Sequence, residues 1–143
     1  MDDFEELKLP AIAKISGGIA LLLGFFHCIL AAQTYVVLRS SVSLLVVGVM
    51  LSLGLAAGYS GYRITRGSGK AAITATLVAA GTVLTTGVWL LFALRHGMLS
   101  PLTLLVLLFA LATVIFSGLA VPDLRRVDAA RERLRAQGLD TGL

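Results

Sequence analysis

Four apolar spans, at about residues 16–38, 42–62, 71–94 and 101–121, occupy most of the 143-residue chain. Each carries a stripe of small or weakly polar residues at alternating steps of three and four. On the first span the stripe reads Gly17, Ala20, Gly24, His27, Ala31, Thr34; on the third, Ala72, Ala75, Ala79, Thr82, Thr86, Trp89; on the fourth, Thr103, Val106, Ala110, Thr113, Ser117, Ala120. Large apolar residues dominate the other faces. In lipid, pressing Leu against Leu gains little, so small residues mark where backbones approach and where hydroxyls find partners. Each span also has roughly the 20 apolar residues needed to cross about 30 Å of hydrocarbon. The expectation is an all-α integral membrane protein, an antiparallel four-helix bundle with its stripes turned inward.

Composition agrees: the chain is 57% hydrophobic with a mean hydropathy of +0.92, unlike a soluble domain broken by frequent polar residues. Connections near 39–41, 63–70 and 95–100 are short, which favours antiparallel neighbours. Residues 1–143 thus read as one transmembrane domain with a basic cytoplasmic tail at 123–143, leaving no room for a large extramembrane catalytic domain.

The net charge of +4 is distributed like a topology signal and not like a nucleic-acid surface. Lys8, Lys14, Arg63, Arg66, Lys70, Arg125, Arg126, Arg131, Arg133 and Arg135 fall on one side, and only Arg39 and Arg95 on the other. Ten against two places both termini in the cytoplasm by the positive-inside rule. Anionic lipid headgroups are the expected partners of these side chains, and nucleic acid is not. Nine arginines against three lysines in an Ala-, Gly- and Leu-rich chain suggest a GC-rich bacterial genome, hence a bacterial cytoplasmic (inner) membrane.

Cys28 is the sole cysteine and reads as a packing residue, so no intrachain disulfide or thiolate cluster is expected. The first span is too long for a signal peptide and lacks a small-x-small site near Ala32, so it reads as retained. Ahead of it, Asp2, Asp3, Phe4, Glu5, Glu6 and Leu7 suit either a short interfacial amphipathic helix capped by Asp2 or Asp3, or a frayed tail. After Pro122, the residues Leu124, Val127, Arg131 and Leu134 share a helical stripe that Gly138 would stop. A short basic amphipathic helix on the cytoplasmic surface is expected there, with Asp128, Glu132 and neighbouring arginines offering weak pairings.

Span two ends in Gly54-Leu55-Ala56-Ala57-Gly58-Tyr59-Ser60-Gly61-Tyr62-Arg63. Gly54 and Gly58 form a GxxxG pair that Ala57 and Gly61 repeat. With Gly17, Gly24, Ala75 and Ala79, these are the expected helix-packing positions. The other face carries Ser52, Ala56, Tyr59, Arg63 and Arg66. Tyr59 and Tyr62 suit either interface anchoring or ligand contact, and Tyr35 and Trp89 suit anchoring on the far side. Ser43-Leu44-Leu45-Val46 and Ala57-Gly58 match Thr103-Leu104-Leu105-Val106 and Ser117-Gly118 at a constant offset of sixty, which suits either hairpin duplication or coincidence.

His27 falls at the midpoint of span one, on the small-residue stripe. An ionisable residue at that depth is a functional candidate by default. Ser52, Thr82 and Thr113 should share its depth and offer it a hydroxyl. Its readings are a satisfied histidine fixing helix register, substrate contact or proton handling, and haem or metal ligation; His96, the other histidine, lies in the far loop. No paired intramembrane carboxylates, nucleophile with a base, phosphate loop, HExxH or CxxC occurs. Arg63-Ile64-Thr65-Arg66-Gly67-Ser68-Gly69-Lys70 superficially evokes phosphate binding but lacks the strand and glycine spacing of a P-loop. No enzyme activity, catalytic residue, cofactor or metal site is expected.

The run Gly54 to Arg63 is similar to a segment of the small four-helix transmembrane protein 14 family, related to plastid fatty-acid export proteins. A basic Gly-rich turn, an Ala/Thr-rich helix and Pro101 opening a last helix extend the likeness over roughly residues 43–118. The arginine-rich tail and His27 fall outside it. The resemblance implies movement of fatty acids or other hydrophobic organic anions, with Gly54, Gly58, Tyr59, Gly61, Tyr62 and Arg63 as the matched positions.

Two functional readings follow. One is a passive or partner-assisted carrier for fatty acids or other hydrophobic organic anions, with His27, Tyr59, Tyr62, Arg63 and Arg66 as candidate ligand-binding residues. The other is a non-catalytic accessory subunit whose spans pack against a larger membrane protein complex, or that self-associates. An interior cavity along the stripes would favour the carrier, and dry stripes with a covered outer face the subunit.

Overall fold

A computed structural model of the chain describes residues 8–38, 41–95, 97 and 100–138, with the side chains of 37–43 left aside. The proposed interfacial segment at Asp2 to Leu7, and also Arg39 and His96, lie outside the described residues. The described chain is all helical: α1 Ala11–Leu38, α2 Ser41–Thr65, α3 Gly69–Arg95 and α4 Pro101–Ala136. All four are long and apolar enough to cross a membrane.

The stripes form the buried faces. Every stripe residue named on spans one and four is buried, as are those on span three except half-buried Trp89. Large residues such as Phe25, Leu45, Leu55 and Leu91 stand outward. In ring order, α1 packs most closely on α2 and α3 on α4; α4 closes on α1, and the α2–α3 contact is the thinnest.

Glycine is required along the α1–α2 seam. A Cβ on Gly17 would lie 2.9 Å from the Gly61 carbonyl oxygen, one on Gly24 2.6 Å from that of Gly54, and one on Gly61 2.7 Å from that of Gly17. Gly58 differs from its GxxxG partner. A Cβ there meets nothing within 4 Å, but its backbone nitrogen lies 2.7 Å from the Cβ position of Gly24. The seam therefore runs through Gly54, Ala57 and Gly61 on α2, with Gly58 contributing backbone. Across α1–α4, the buried hydroxyls of Ser16 and Ser117 share a hydrogen bond of 2.8 Å, and Phe26 stacks on Phe109 with centroids 5.4 Å apart.

The C-terminal segment departs from the expected separate surface helix, because α4 continues through Pro122 to Ala136. Proline removes one donor, at the position facing the Gly118 carbonyl. Apolar burial favours continuation: Leu124, Val127, Ala130 and Leu134 are all buried. At 36 residues α4 is about 54 Å long, well beyond the roughly 30 Å needed to cross a hydrocarbon core, and its last turns project past the α2–α3 turn.

That projection clasps the α2–α3 turn. Gly67, at φ +79°, is the left-handed residue of a Schellman end, with Gly67 N–H donating to Ile64 O at 2.8 Å and Ser68 N–H to Arg63 O at 3.1 Å. The Ser68 hydroxyl accepts from Ala71 N–H at 3.3 Å, capping α3. Asp128 accepts from Gly69 N–H at 2.9 Å, and Arg131 donates to the carbonyls of Gly67 at 3.1 Å and Arg66 at 2.9 Å. The Gly-rich basic turn is thus a helix-to-helix junction, and Asp128 and Arg131 serve backbone groups there.

Candidate functional site

The five candidate ligand-binding residues separate into two places. His27 is 1% exposed inside the bundle, one residue before Cys28, whose sulfur lies 2.9 Å from the Cβ position of Gly54. Among the described residues neither ring nitrogen has a hydrogen-bond partner. The hydroxyl layer expected around it is otherwise engaged. Thr82 donates to Val78 O at 3.0 Å and Thr113 to Phe109 O at 2.7 Å. Ser52 is exposed on the outer face and donates to Gly48 O at 2.8 Å. Threonine and serine in a helix readily bond the carbonyl one turn back. They retain acceptor lone pairs, so the layer is polar without holding the imidazole.

Tyr59, Tyr62, Arg63 and Arg66 lie at the far end of α2 and on its outside. Tyr59 is 65% exposed, Tyr62 and Arg63 are exposed, and the Arg66 guanidinium sits 5.3 Å from the Tyr62 ring centroid. Arg63 is nine residues beyond Gly54, or roughly 13 Å along the axis. A charged stripe with aromatic bodies on an outer helix face suits headgroup contact, with the Arg66–Tyr62 stack orienting one cation.

The feature that sequence reasoning missed is a groove between α2 and α3. Its volume is about 570 Å³, and it is lined by Leu30 of α1, by Leu45, Val46, Val49 and Met50 of α2, and by Leu84, Thr85, Thr86, Val88, Trp89 and Phe92 of α3. Leu30, Met50 and Thr86 are buried and form its floor, while Leu45, Val49, Leu84 and Val88 are exposed and form its lips. The groove therefore opens sideways to the outside of the bundle, with the stripe residues Thr86 at its floor and Trp89 at its wall. Trp89, expected both on the inward stripe and as an interface anchor, stacks on Phe92 with centroids 5.5 Å apart and builds one wall. The Thr85 hydroxyl is turned back to Gly81 O at 3.0 Å, so the lining is almost wholly apolar. A volume of this size falls within the ~300–1,000 Å³ typical of sites for one small molecule. The signal available in the sequence was the outward row Leu84, Val88 and Phe92 facing Leu45 and Val49, large residues on both sides of a short-looped pair.

No protein family, curated protein or solved structure matches the chain.

Proposed function

We propose that the chain is an integral membrane carrier for fatty acids or other hydrophobic organic anions, non-catalytic and passive. Its helices would run antiparallel with both termini on the cytoplasmic side of a bacterial inner membrane. The pairing of Gly17 with Gly61 and of Gly24 with Gly54 supports the antiparallel order, and the ten-to-two placement of basic residues supports the orientation. The likeness of residues 54–63 to the transmembrane protein 14 family points the same way.

The groove carries the reading. An apolar cleft open to lipid receives an acyl chain without extracting it from hydrocarbon, and the thin α2–α3 contact beyond it offers a path of low resistance. The exposed Tyr59, Tyr62, Arg63 and Arg66 would meet the anionic head at the cytoplasmic end. Release of a labelled fatty acid from proteoliposomes tests this: Leu84→Trp, which fills the groove from an exposed position, should slow release while leaving the fold intact. Release equal to that of protein-free liposomes would reject the carrier.

One observation favours the accessory-subunit reading. Gly48 and Ser52 form a small outward pair on α2, with nothing within 4 Å of the Gly48 Cβ position. Small residues facing lipid are where a foreign helix approaches closely. Purification in mild detergent with a stoichiometric partner, lost on Gly48→Leu, would support it over the carrier.

A further inference from the structure

The α2–α3 groove has a charged end, and it is not the end where Arg63 and Arg66 lie. Leu84, Val88 and Phe92 succeed one another at four-residue steps along its wall, and Arg95 continues the row. Seven residues separate Val88 from Arg95, nearly two full turns, so the Arg95 stem leaves α3 from the groove-lining face about 4.5 Å beyond Phe92. Arg95 is exposed in the last turn of α3, where an aliphatic stem lies along apolar surface while its head reaches water. The helix end contributes only about half a negative charge, so the guanidinium leaves this mouth net positive. Arg66 precedes the other end of the same 27-residue helix, about 40 Å away along its axis.

An apolar slot of single-ligand size with the Arg95 cation at its mouth complements a single-chain amphiphile with an anionic head. The walls argue against a docked helix. They are Leu, Val, Trp and Phe, whereas close helix packing in lipid uses Gly, Ala and Ser. We propose that the groove is the loading site for one long-chain fatty carboxylate, with the chain against Val49, Leu84 and Val88 and the head at Arg95. This rests on reading the groove as an acyl-chain site, and it assigns loading to the leaflet at the C-terminal end of α3.

The test uses full-length protein in nanodiscs of a neutral phosphatidylcholine, with photoreactive palmitate and photoreactive palmityl alcohol as probes. Both should label Val49, Leu84 or Val88. Arg95→Gln should weaken palmitate labelling by about threefold, the scale of one exposed ion pair. It should leave the alcohol unchanged, and Arg95→Lys should keep most of the palmitate signal. Groove labelling that ignores Arg95→Gln would overturn the Arg95 assignment and leave the acyl-chain groove standing. Absence of groove labelling by either probe would overturn both. Displacement of palmitate by an equimolar two-chain phosphatidic acid would assign the site to a phospholipid and overturn the fatty carboxylate.

Discussion

A Cβ on Gly24 would stand 2.6 Å from the carbonyl oxygen of Gly54, closer than any real side chain is found, and both neighbours are helix backbone. Neither can yield without moving a whole helix. Gly24→Ala should therefore destabilise the protein by about 1–3 kcal/mol, the usual cost of overpacking. Gly118→Ala, with nothing within 4 Å, should cost nothing. Unfolding in mixed detergent micelles compares the two, and equal stabilities would contradict the seam.

The Ser16–Ser117 hydrogen bond ties α1 to α4 and is buried at both ends. A double-mutant cycle with Ser16→Ala and Ser117→Ala should give a coupling of about 0.6 kcal/mol, the average for interhelical bonds in membranes. Additive effects would show that the two hydroxyls do not meet.

The clasp on the α2–α3 turn predicts local effects. Asp128→Ala removes the acceptor at Gly69 N–H and should cost about 1 kcal/mol, as loss of a helix cap does. Arg66 and Lys70 flank the junction, so trypsin should cut there about fivefold faster in the variant if cleavage follows local opening. Unchanged cleavage would mean that the turn is held without Asp128.

His27 has two buried ring nitrogens without partners among the described residues. A buried unsatisfied polar group costs about 1–3 kcal/mol, so His27→Leu should leave the protein as stable or raise stability by about 1 kcal/mol. Fatty-acid release measured on the same variant separates packing from function. A loss of stability would show that the imidazole is held by a partner, and a loss of release at full stability would make His27 part of the transport route.

How much of this was legible depended on whether a feature lies within one helix or between two. The inward faces follow from periodicity alone, since Gly17 through Thr34 and Thr103 through Ala120 repeat at three and four residues and all are buried. The same rule, carried past Pro122, joins Ala120 to Leu124, Val127, Arg131 and Leu134 without a break. Proline outweighed that signal in the sequence reading, whereas in the fold one missing donor is outweighed by a buried stripe. Ser52 shares a face with Tyr59 and Arg63, off the Gly54–Gly61 seam, and equal depth does not bring a hydroxyl on that face to His27. The split between His27 inside and Tyr59 to Arg66 outside was readable from helical phase, because Tyr59 and Arg63 lie off the Gly54–Gly61 seam. The groove is legible only in its walls, the outward rows of Leu84, Val88 and Phe92 and of Leu45 and Val49, since the gap itself arises from the spacing of α2 and α3, which no single segment encodes.

The central claim is that the α2–α3 groove holds an acyl anion. Native mass spectrometry of the protein released from gentle detergent after incubation with palmitate measures this directly. The wild type should carry one palmitate, Leu84→Trp combined with Val49→Trp should carry none, and both should unfold at the same detergent concentration. Equal palmitate occupancy in the wild type and the filled variant would contradict the claim.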